Sequence, residues 1–327
     1  MDLYKSNILV TGGLGFIGSH FINEILSNSK FVGKIINIDK ISYCSNQNNI
    51  YKNNKKKSNY FFQKGNIRDK KKIELILNKF KIEYVFNFAA YSHVDNSIKS
   101  PKDFITHNVN DFISFLDVCN NYQYKFKKLK FIQISTDEVF GSLRNNHDYF
   151  TNKTPYNPSS PYSSSKASCD LILNSYIKTY EFPAVITYSC NNFGPNQFKE
   201  KFIPTVINSC KQKKKIPIYG TGKNKRQWIY VKDNIYSIIK IANQFLSGNS
   251  YCISSNYEAT NVKLVKIICK IFKQNSLGFK YENLIKYVED RKGHDHRYFM
   301  KSPKSLTTSY TEKDFENLLY KTIQSYY

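Results

Sequence analysis

Gly12, Gly15 and Gly18, three residues apart, stand where an apolar run (Ile8-Leu9-Val10) gives way to a helical pattern. Nothing else in the chain restricts its fold as much. A backbone without Cβ atoms can turn tightly and approach a pyrophosphate, which then rests on the electropositive N-terminus of the next helix. Asp39 closes the following apolar run, 21 residues after Gly18. A carboxylate there accepts hydrogen bonds from an adenosine ribose and repels a 2′-phosphate, so NAD is the expected cofactor; neighbouring Lys40 is the one feature that would suit NADP.

The first half alternates short β-branched and aromatic runs with longer amphipathic stretches, the pattern of a parallel sheet covered by helices on both faces. Strands are expected at 7–11, 34–39, 60–63, 84–88, 131–135 and 184–188. The fold class is therefore α/β, a Rossmann-type doubly wound parallel sheet with a smaller C-terminal substrate-binding domain. Residues 1–189 are assigned to the NAD-binding domain and 190–327 to the substrate-binding domain, because Pro/Gly punctuation (Gly194-Pro195, Pro204, Pro217, Gly220-Thr221-Gly222) breaks the regular alternation. A strand-then-helix segment near 228–246 is expected to return to the main sheet. The polar stretch Ser45–Ser58 reads as a surface loop.

Net charge is +24, which in a clustered form would suggest nucleic acid. Here only five of the 49 basic residues are arginines and the lysines are spread along the chain beside abundant asparagine, so a compositional bias is the better reading and no nucleic-acid partner is expected. No apolar stretch is long enough to span a bilayer and no signal-peptide pattern opens the chain, so a cytoplasmic protein without a membrane partner is expected. The seven scattered cysteines form no Cys-x-x-Cys and read as free thiols. His294-Asp295-His296 lacks further ligands, so no metal is expected.

Chemistry enters with Tyr162-x-x-x-Lys166 and with Thr136-Asp137-Glu138. Ser160 can cap a helix with Pro161 at its first position, placing Tyr162 and Lys166 one turn apart on a shared face. An ammonium near a phenol, together with a nicotinamide's positive charge, favours the phenolate that accepts an alcohol's proton during hydride transfer. Asp137 and Glu138 follow an apolar run (Phe131, Ile132, Ile134), at the carboxyl edge of a strand where ligands bind in this architecture. Once a sugar hydroxyl is a ketone, the adjacent C–H is acidic; one carboxylate can remove that proton while a neighbouring acid expels a β-hydroxyl as water. Crowding of the two carboxyls is expected to keep one of them protonated.

These motifs resemble the nucleotide-sugar 4,6-dehydratases of the extended short-chain dehydrogenase/reductase type. The segments that carry the likeness are TGGLGFIGS (11–19), NIDKISY (37–43), NFAAYSHVDNSI (87–98), ISTDEVFG (134–141), PYSSSKASCD (161–170), CNNFGPNQFKEKFIP (190–204), IPIYGTG with the later RQW (216–228), and DRKGHDHRY (290–298). The resemblance implies a redox-neutral reaction with NAD. Tyr162, aided by Lys166, takes the C4 hydroxyl proton, Thr136 orients that hydroxyl, Glu138 removes the C5 proton and Asp137 protonates the leaving C6 hydroxyl. It implies cofactor contacts at Gly12, Gly15, Phe16, Ile17, Gly18, Asp39, Lys40, Ser42, Asn66, Ile67, Ala89, Ala90, Ser92, Tyr162, Lys166 and Asn192. Substrate contacts are implied at Ser92, Thr136, Asn191, Lys201, Pro217, Tyr219, Arg226, Asn261, Asp290, Arg291 and His294. It further implies a homodimer through paired helices, and dTDP-glucose as the substrate favoured over UDP-glucose. The chain departs from the family pattern at Asn66, His107, Cys190, Gln227 and Lys292. Two other readings are a 4-epimerase of the same fold, which leaves Asp137 and Glu138 without work, and a silent NAD-binding scaffold that holds nucleic acid.

Overall fold

The computed structural model describes residues 2–274 and 278–327, which divide into two compact units. Unit 1 comprises residues 1–136, 160–188 and 235–251; unit 2 comprises 137–159, 189–234 and 252–327.

Unit 1 is built on β1 (Ile8–Thr11), α1 (Phe16–Ser27), β2 (Ile35–Asp39), α2 (Lys52–Lys55), β3 (Tyr60–Lys64), α3 (Lys70–Phe80), β4 (Tyr84–Asn87), α4 (Val94–Lys99), α5 (Pro101–Phe104), α6 (Asp111–Phe126), β5 (Lys130–Thr136), α7 (Pro161–Tyr180) and β6 (Ala184–Ser189). Its strands lie in the order β6-β5-β4-β1-β2-β3. β1 pairs in parallel with both β2 and β4, so the winding direction reverses between β1 and β4, where ligands bind in such sheets. All six expected strands are present, each within a residue of its expected bounds. Apart from edge strand β3, whose residues are half-buried or exposed, most of their residues are buried because helices cover both faces, which is why the sequence shows continuous apolar runs there.

A line of polar side chains crosses this otherwise apolar sheet. Thr11 Oγ1 donates to Asn87 Oδ1 at 2.6 Å, and Asn87 Nδ2 donates to Gln133 Oε1 at 2.8 Å. Thr187 Oγ1 donates to the Gln133 carbonyl at 3.3 Å. All four residues are buried, so mutual hydrogen bonding is what makes their burial tolerable.

The stretch Ser45–Ser58 differs from the expected loop. It carries a 3-10 turn at Gln47–Asn49 and α2, and Asn49, Ile50 and Asn54 are buried. Asn23 organises it, donating to the Asn49 carbonyl at 2.7 Å and accepting from Tyr51 N at 2.9 Å. Amide side chains there serve as internal hydrogen-bonding groups, so low hydropathy did not mean solvation.

Unit 2 contains β7 (Asn191–Phe193), α8 (Phe202–Lys211), β8 (Ile216–Tyr219), β9 (Lys225–Tyr230), the first turn of α9 (Val231–Asn243), most of β10 (Ser250–Ser255), β11 (Glu258–Thr260), α10 (Asn261–Gln274), β12 (Ile285–Val288), β13 (Thr307–Thr308) and α11 (Glu312–Gln324). β9 lies between antiparallel β11 and parallel β7, and β8 pairs in parallel with β12. The return of 228–246 to the main sheet is therefore corrected: its strand belongs to this small sheet. The cause is apolar packing, since Trp228 and Tyr230 are buried with Phe193, Tyr257 and Phe315. The chain rejoins unit 1 only from Ile235, within α9.

All seven cysteines are free, and all but Cys44 are buried. Among the described residues no helix is long and apolar enough to cross a membrane, and no three His, Cys, Asp or Glu side chains group as metal ligands.

Candidate active site

In unit 1 the glycine loop closes on backbone. Gly12 takes φ +67° and donates to the Ile38 carbonyl at 2.9 Å, and a Cβ on it would lie 2.8 Å from Ala89 backbone atoms. A Cβ on Gly18 would lie 2.6 Å from the Gly12 carbonyl oxygen. Gly15 is the N-cap of α1 without a side-chain cap, so the N–H groups of Phe16 and Ile17 stay open to an anion. Asp39 ties this loop to the end of β2. Its Oδ2 accepts from Leu14 N at 3.0 Å, and its Oδ1 accepts from Ile41 N at 2.8 Å and Ser45 Oγ at 2.9 Å. Ser42 N donates to Ser45 Oγ at 3.2 Å.

Lys40 is drawn away from that carboxylate, its Nζ 4.1 Å from the centre of the Tyr91 ring. Asn66 Nδ2 donates to Asp111 Oδ2 at 3.1 Å, and the same oxygen meets His107 Nδ1 at 3.2 Å. Two departures from the family pattern, Asn66 and His107, thus share one buried carboxylate. Ile67 is buried beside Asn66 in the chain, and Ala89 N donates to Thr11 Oγ1 at 3.2 Å. Ala90 and Ser92 are half-buried after β4.

α7 starts as expected, with Ser160 in a capping box with Ser163 and Pro161 in the first turn. Tyr162 and Lys166 lie on its buried face, and Lys166 Nζ donates to the Ile134 carbonyl at 2.7 Å, two residues before Thr136. The next residue of β5, Ser135, donates from Oγ to Asp170 Oδ2 at 2.5 Å. Asn108, inside a π-helical turn (Ile105–Asn110), bonds both backbone groups of Tyr91 and donates to Ser165 Oγ at 2.9 Å. Sequence reasoning missed Asn108, Asp111 and Asp170. Asp170 was within reach, four residues after Lys166 on the stripe that begins at Tyr162.

In unit 2, Asp137 and Glu138 open the 3-10 turn Asp137–Phe140 directly after Thr136, with Asp137 buried and Glu138 half-buried. Burial pushes the Glu138 carboxyl above the usual range, while Lys201, Arg291 and Arg226 pull it down and Asp295 pushes it up. Desolvation is the largest influence raising Glu138, and three cations oppose it.

Arg226 is 6% exposed and is held by carbonyls. Its Nη2 donates to the Asp295 carbonyl at 2.9 Å, its Nη1 to the Lys225 carbonyl at 2.8 Å, and the guanidinium stacks 4.2 Å above the Tyr298 ring. Ser159 and Tyr298 hydroxyls both donate to Asp295 Oδ2. His294 Nδ1 lies 2.6 Å from Asp290 Oδ1; burial, with help from Arg291 and Arg226, lowers the His294 pKa against that partner. Tyr219 sets its ring edge-on to His294, while Pro217 lies exposed on the same alternating face of β8.

The buried Oδ1 atoms of Asn191 and Asn192 lack hydrogen-bond partners among the described residues, which suits two acceptors waiting for ligand donors. Asn261 opens α10, its N–H donated to the carbonyl of Asn224, two residues before Arg226. Gln227 is fully enclosed and works structurally: Oε1 accepts from Met300 N at 2.9 Å and Nε2 donates to the Met300 carbonyl at 3.2 Å.

Comparisons with known proteins agree with this arrangement. Residues 9–310 match the family model described as GDP-mannose 4,6 dehydratase. A dTDP-glucose 4,6-dehydratase of Haemophilus influenzae is 40% identical over 305 residues, 89% of this chain and 88% of that protein. Its counterpart in Neisseria gonorrhoeae is 35% identical over 98% of this chain and 96% of its own length. The crystal structure of dTDP-glucose 4,6-dehydratase from Bacillus anthracis in complex with NAD superposes with a TM-score of 0.85 at 37% identity, covering 98% of this chain and 96% of that one.

Proposed function

From the premise that the chain belongs to the nucleotide-sugar 4,6-dehydratases of the extended short-chain dehydrogenase/reductase family, we propose that it converts dTDP-glucose to the 4-keto-6-deoxy sugar, with NAD as cofactor. The residues present fit that cofactor: Gly12 and Gly18 let the loop close tightly where a Cβ would strike backbone, the start of α1 behind that loop is uncapped, and Asp39 ends β2, where the resemblance implies the ribose contact. When bound, NAD takes the hydride from C4 of the hexose and returns it to C6.

The protein's own groups move the protons. Tyr162 takes the proton of the C4 hydroxyl, with Lys166 one turn away supplying the positive field and Thr136 orienting the hydroxyl. The resulting ketone acidifies C5–H, which Glu138 removes, and Asp137 protonates the C6 hydroxyl as it leaves as water. Glu138 then returns its proton to C5. Burial makes Glu138 a stronger base than an exposed carboxylate, and Lys201, Arg226 and Arg291 stabilise it once ionised. The same cations suit the substrate diphosphate, with Asn191, Tyr219, Asp290 and His294 contacting the rest of the nucleotide sugar and Asn192 contacting the cofactor.

The single observation that carries this reading is the Thr136-Asp137-Glu138 turn, whose second carboxyl is raised by burial among three cations. Incubating the NAD-loaded protein with dTDP-glucose and, separately, UDP-glucose tests it. A product lighter by one water is expected, formed faster from the dTDP sugar; an isobaric product would instead identify an epimerase.

The assembly belongs to the same proposal: a cytoplasmic homodimer pairing α6 and α7. Tyr124, Leu171 and Tyr180 on these helices are exposed apolar residues, at 84%, 58% and 58%, which a second copy would cover. A monomeric mass by light scattering would reject it.

A further inference from the structure

One carboxyl close to this machinery has no part in the chemistry above. Asp170 has no solvent exposure and follows Tyr162 and Lys166 on α7 at intervals of eight and four residues, so the three side chains share one helical stripe. Its Oδ2 is held by Ser135 Oγ at 2.5 Å; its buried Oδ1 has no hydrogen-bond partner among the described residues. A carboxylate so placed is poorly solvated and needs a countercharge.

The groups that bear on it are few. Lys166 and Cys169 come from its own helix, and β5 supplies the Ser135 hydroxyl. Burial holds the Cys169 thiol up at about 12, so it stays neutral and donates to the Asn108 carbonyl at 2.8 Å. From the turn packed on α7, Asn108 contributes a neutral amide that bonds Ser165. The Lys166 ammonium is therefore the charge that Asp170 answers. Burial raises Asp170 to about 7, against Lys166 and the Ser135 hydrogen bond, so both of its charge states are populated near neutral pH.

We propose that Asp170 is a positioning residue for alcohol oxidation: its charge state sets how much of the Lys166 field acts on Tyr162. This rests on the proton-acceptor role given to Tyr162 above. Ionised, Asp170 offsets the ammonium and makes the phenolate harder to form. Protonated, it leaves the ammonium uncompensated and makes the phenolate easier to form.

Asp170→Asn tests this, since the amide can still accept from Ser135 but carries no charge. In single turnovers of NAD-loaded protein with dTDP-glucose, the rate of NADH appearance is followed against pH. The expected result is loss of the inflection near neutrality and movement of the tyrosine-dependent limb to lower pH by about one unit. That is the effect of a unit charge roughly 12 Å along the helix axis at an effective dielectric of about 20, or about tenfold more phenolate at fixed pH. Superimposable profiles would overturn the proposal.

Ser135→Ala provides a second handle should the amide disturb folding. Removing the hydrogen bond that favours the charged carboxylate should move the neutral inflection to higher pH, and an unmoved inflection also overturns the proposal. Failure of the parent reading is recognised separately. Phenolate absorbance, taken as the difference between parent and Tyr162→Phe proteins, needs no substrate. If no nucleotide sugar is oxidised yet Asp170→Asn still shifts this titration downward, the function falls and the coupling stands; no shift sinks the coupling itself.

Discussion

Replacing Asp39 by Asn changes one atom, and the geometry dictates the cost. Oδ1 receives two donors, Ile41 N at 2.8 Å and Ser45 Oγ at 2.9 Å, while Oδ2 receives Leu14 N at 3.0 Å. An amide oxygen can keep the first two, but its NH2 then faces the Leu14 N–H donor to donor. The reverse orientation abandons two hydrogen bonds instead of one. Leaving a buried donor without an acceptor costs about 2 kcal/mol, within the usual range of roughly 1–3 kcal/mol. Leu14 lies inside the glycine loop, so the loop moves and NAD should bind roughly 30-fold more weakly. Calorimetric titration measures this, and inorganic pyrophosphate provides a probe that senses the loop without the ribose contact. Ser45→Ala, which keeps the carboxylate and removes one donor, should cost only about fivefold. If Asp39→Asn binds both NAD and pyrophosphate within threefold of the parent protein, the reasoning that the carboxylate organises the loop is wrong.

Glu138→Gln should still form NADH from dTDP-glucose but lose water elimination by at least about 100-fold, so that reduced cofactor accumulates; dehydrated product at near-parental rates would remove Glu138 from the mechanism. Because burial raises the Glu138 pKa and the base must be ionised, the elimination rate should fall with decreasing pH through a midpoint above the ordinary carboxylate range, as read from product formation in buffers of stepped pH. Asp170 has a folded-state pKa of about 7 against an ordinary value of 3.8, so its contribution to stability is complete below the lower value and is lost as pH rises through the higher one. Denaturant titrations should show that loss at about 1.4 kcal/mol per pH unit between the two values, and Asp170→Asn should abolish it. Thr311→Ala removes the α11 capping box, in which Thr311 Oγ1 accepts from Asp314 N at 3.1 Å, and should lower stability by about 1 kcal/mol in the same assay.

Unit 1 was legible because a sheet covered on both faces writes itself as apolar runs, and Gly12, Gly18, Asp39, Ser160 and Pro161 each have one local use that spacing alone identifies. Unit 2 was less so. β8 and β12 are four residues each with alternating or weak burial, and their pairing joins Ile216 to Ile285 across a separation that no local pattern encodes. The buried amides of Ser45–Ser58 were hidden by polarity, since the partners that make Asn49 and Asn54 internal lie in the glycine loop and on α1. The charge balance at Glu138 escaped for a related reason: Lys201, Arg226 and Arg291 come from three distant segments, whereas Asp137, adjacent in sequence, was the neighbour that could be seen.

The line of Thr11, Asn87, Gln133 and Thr187 through the central sheet bears on how freely this domain can be recombined with its relatives. Thr11, Asn87 and Gln133 are joined side chain to side chain, so a chimera that imports β1 or β5 carrying Val or Leu at position 11 or 133 would leave a polar group of Asn87 without its partner in hydrocarbon, although the new residue is itself a better strand former. Strands of this sheet should therefore exchange between homologues as a matched set, and single-strand grafts should fail even where local similarity is highest.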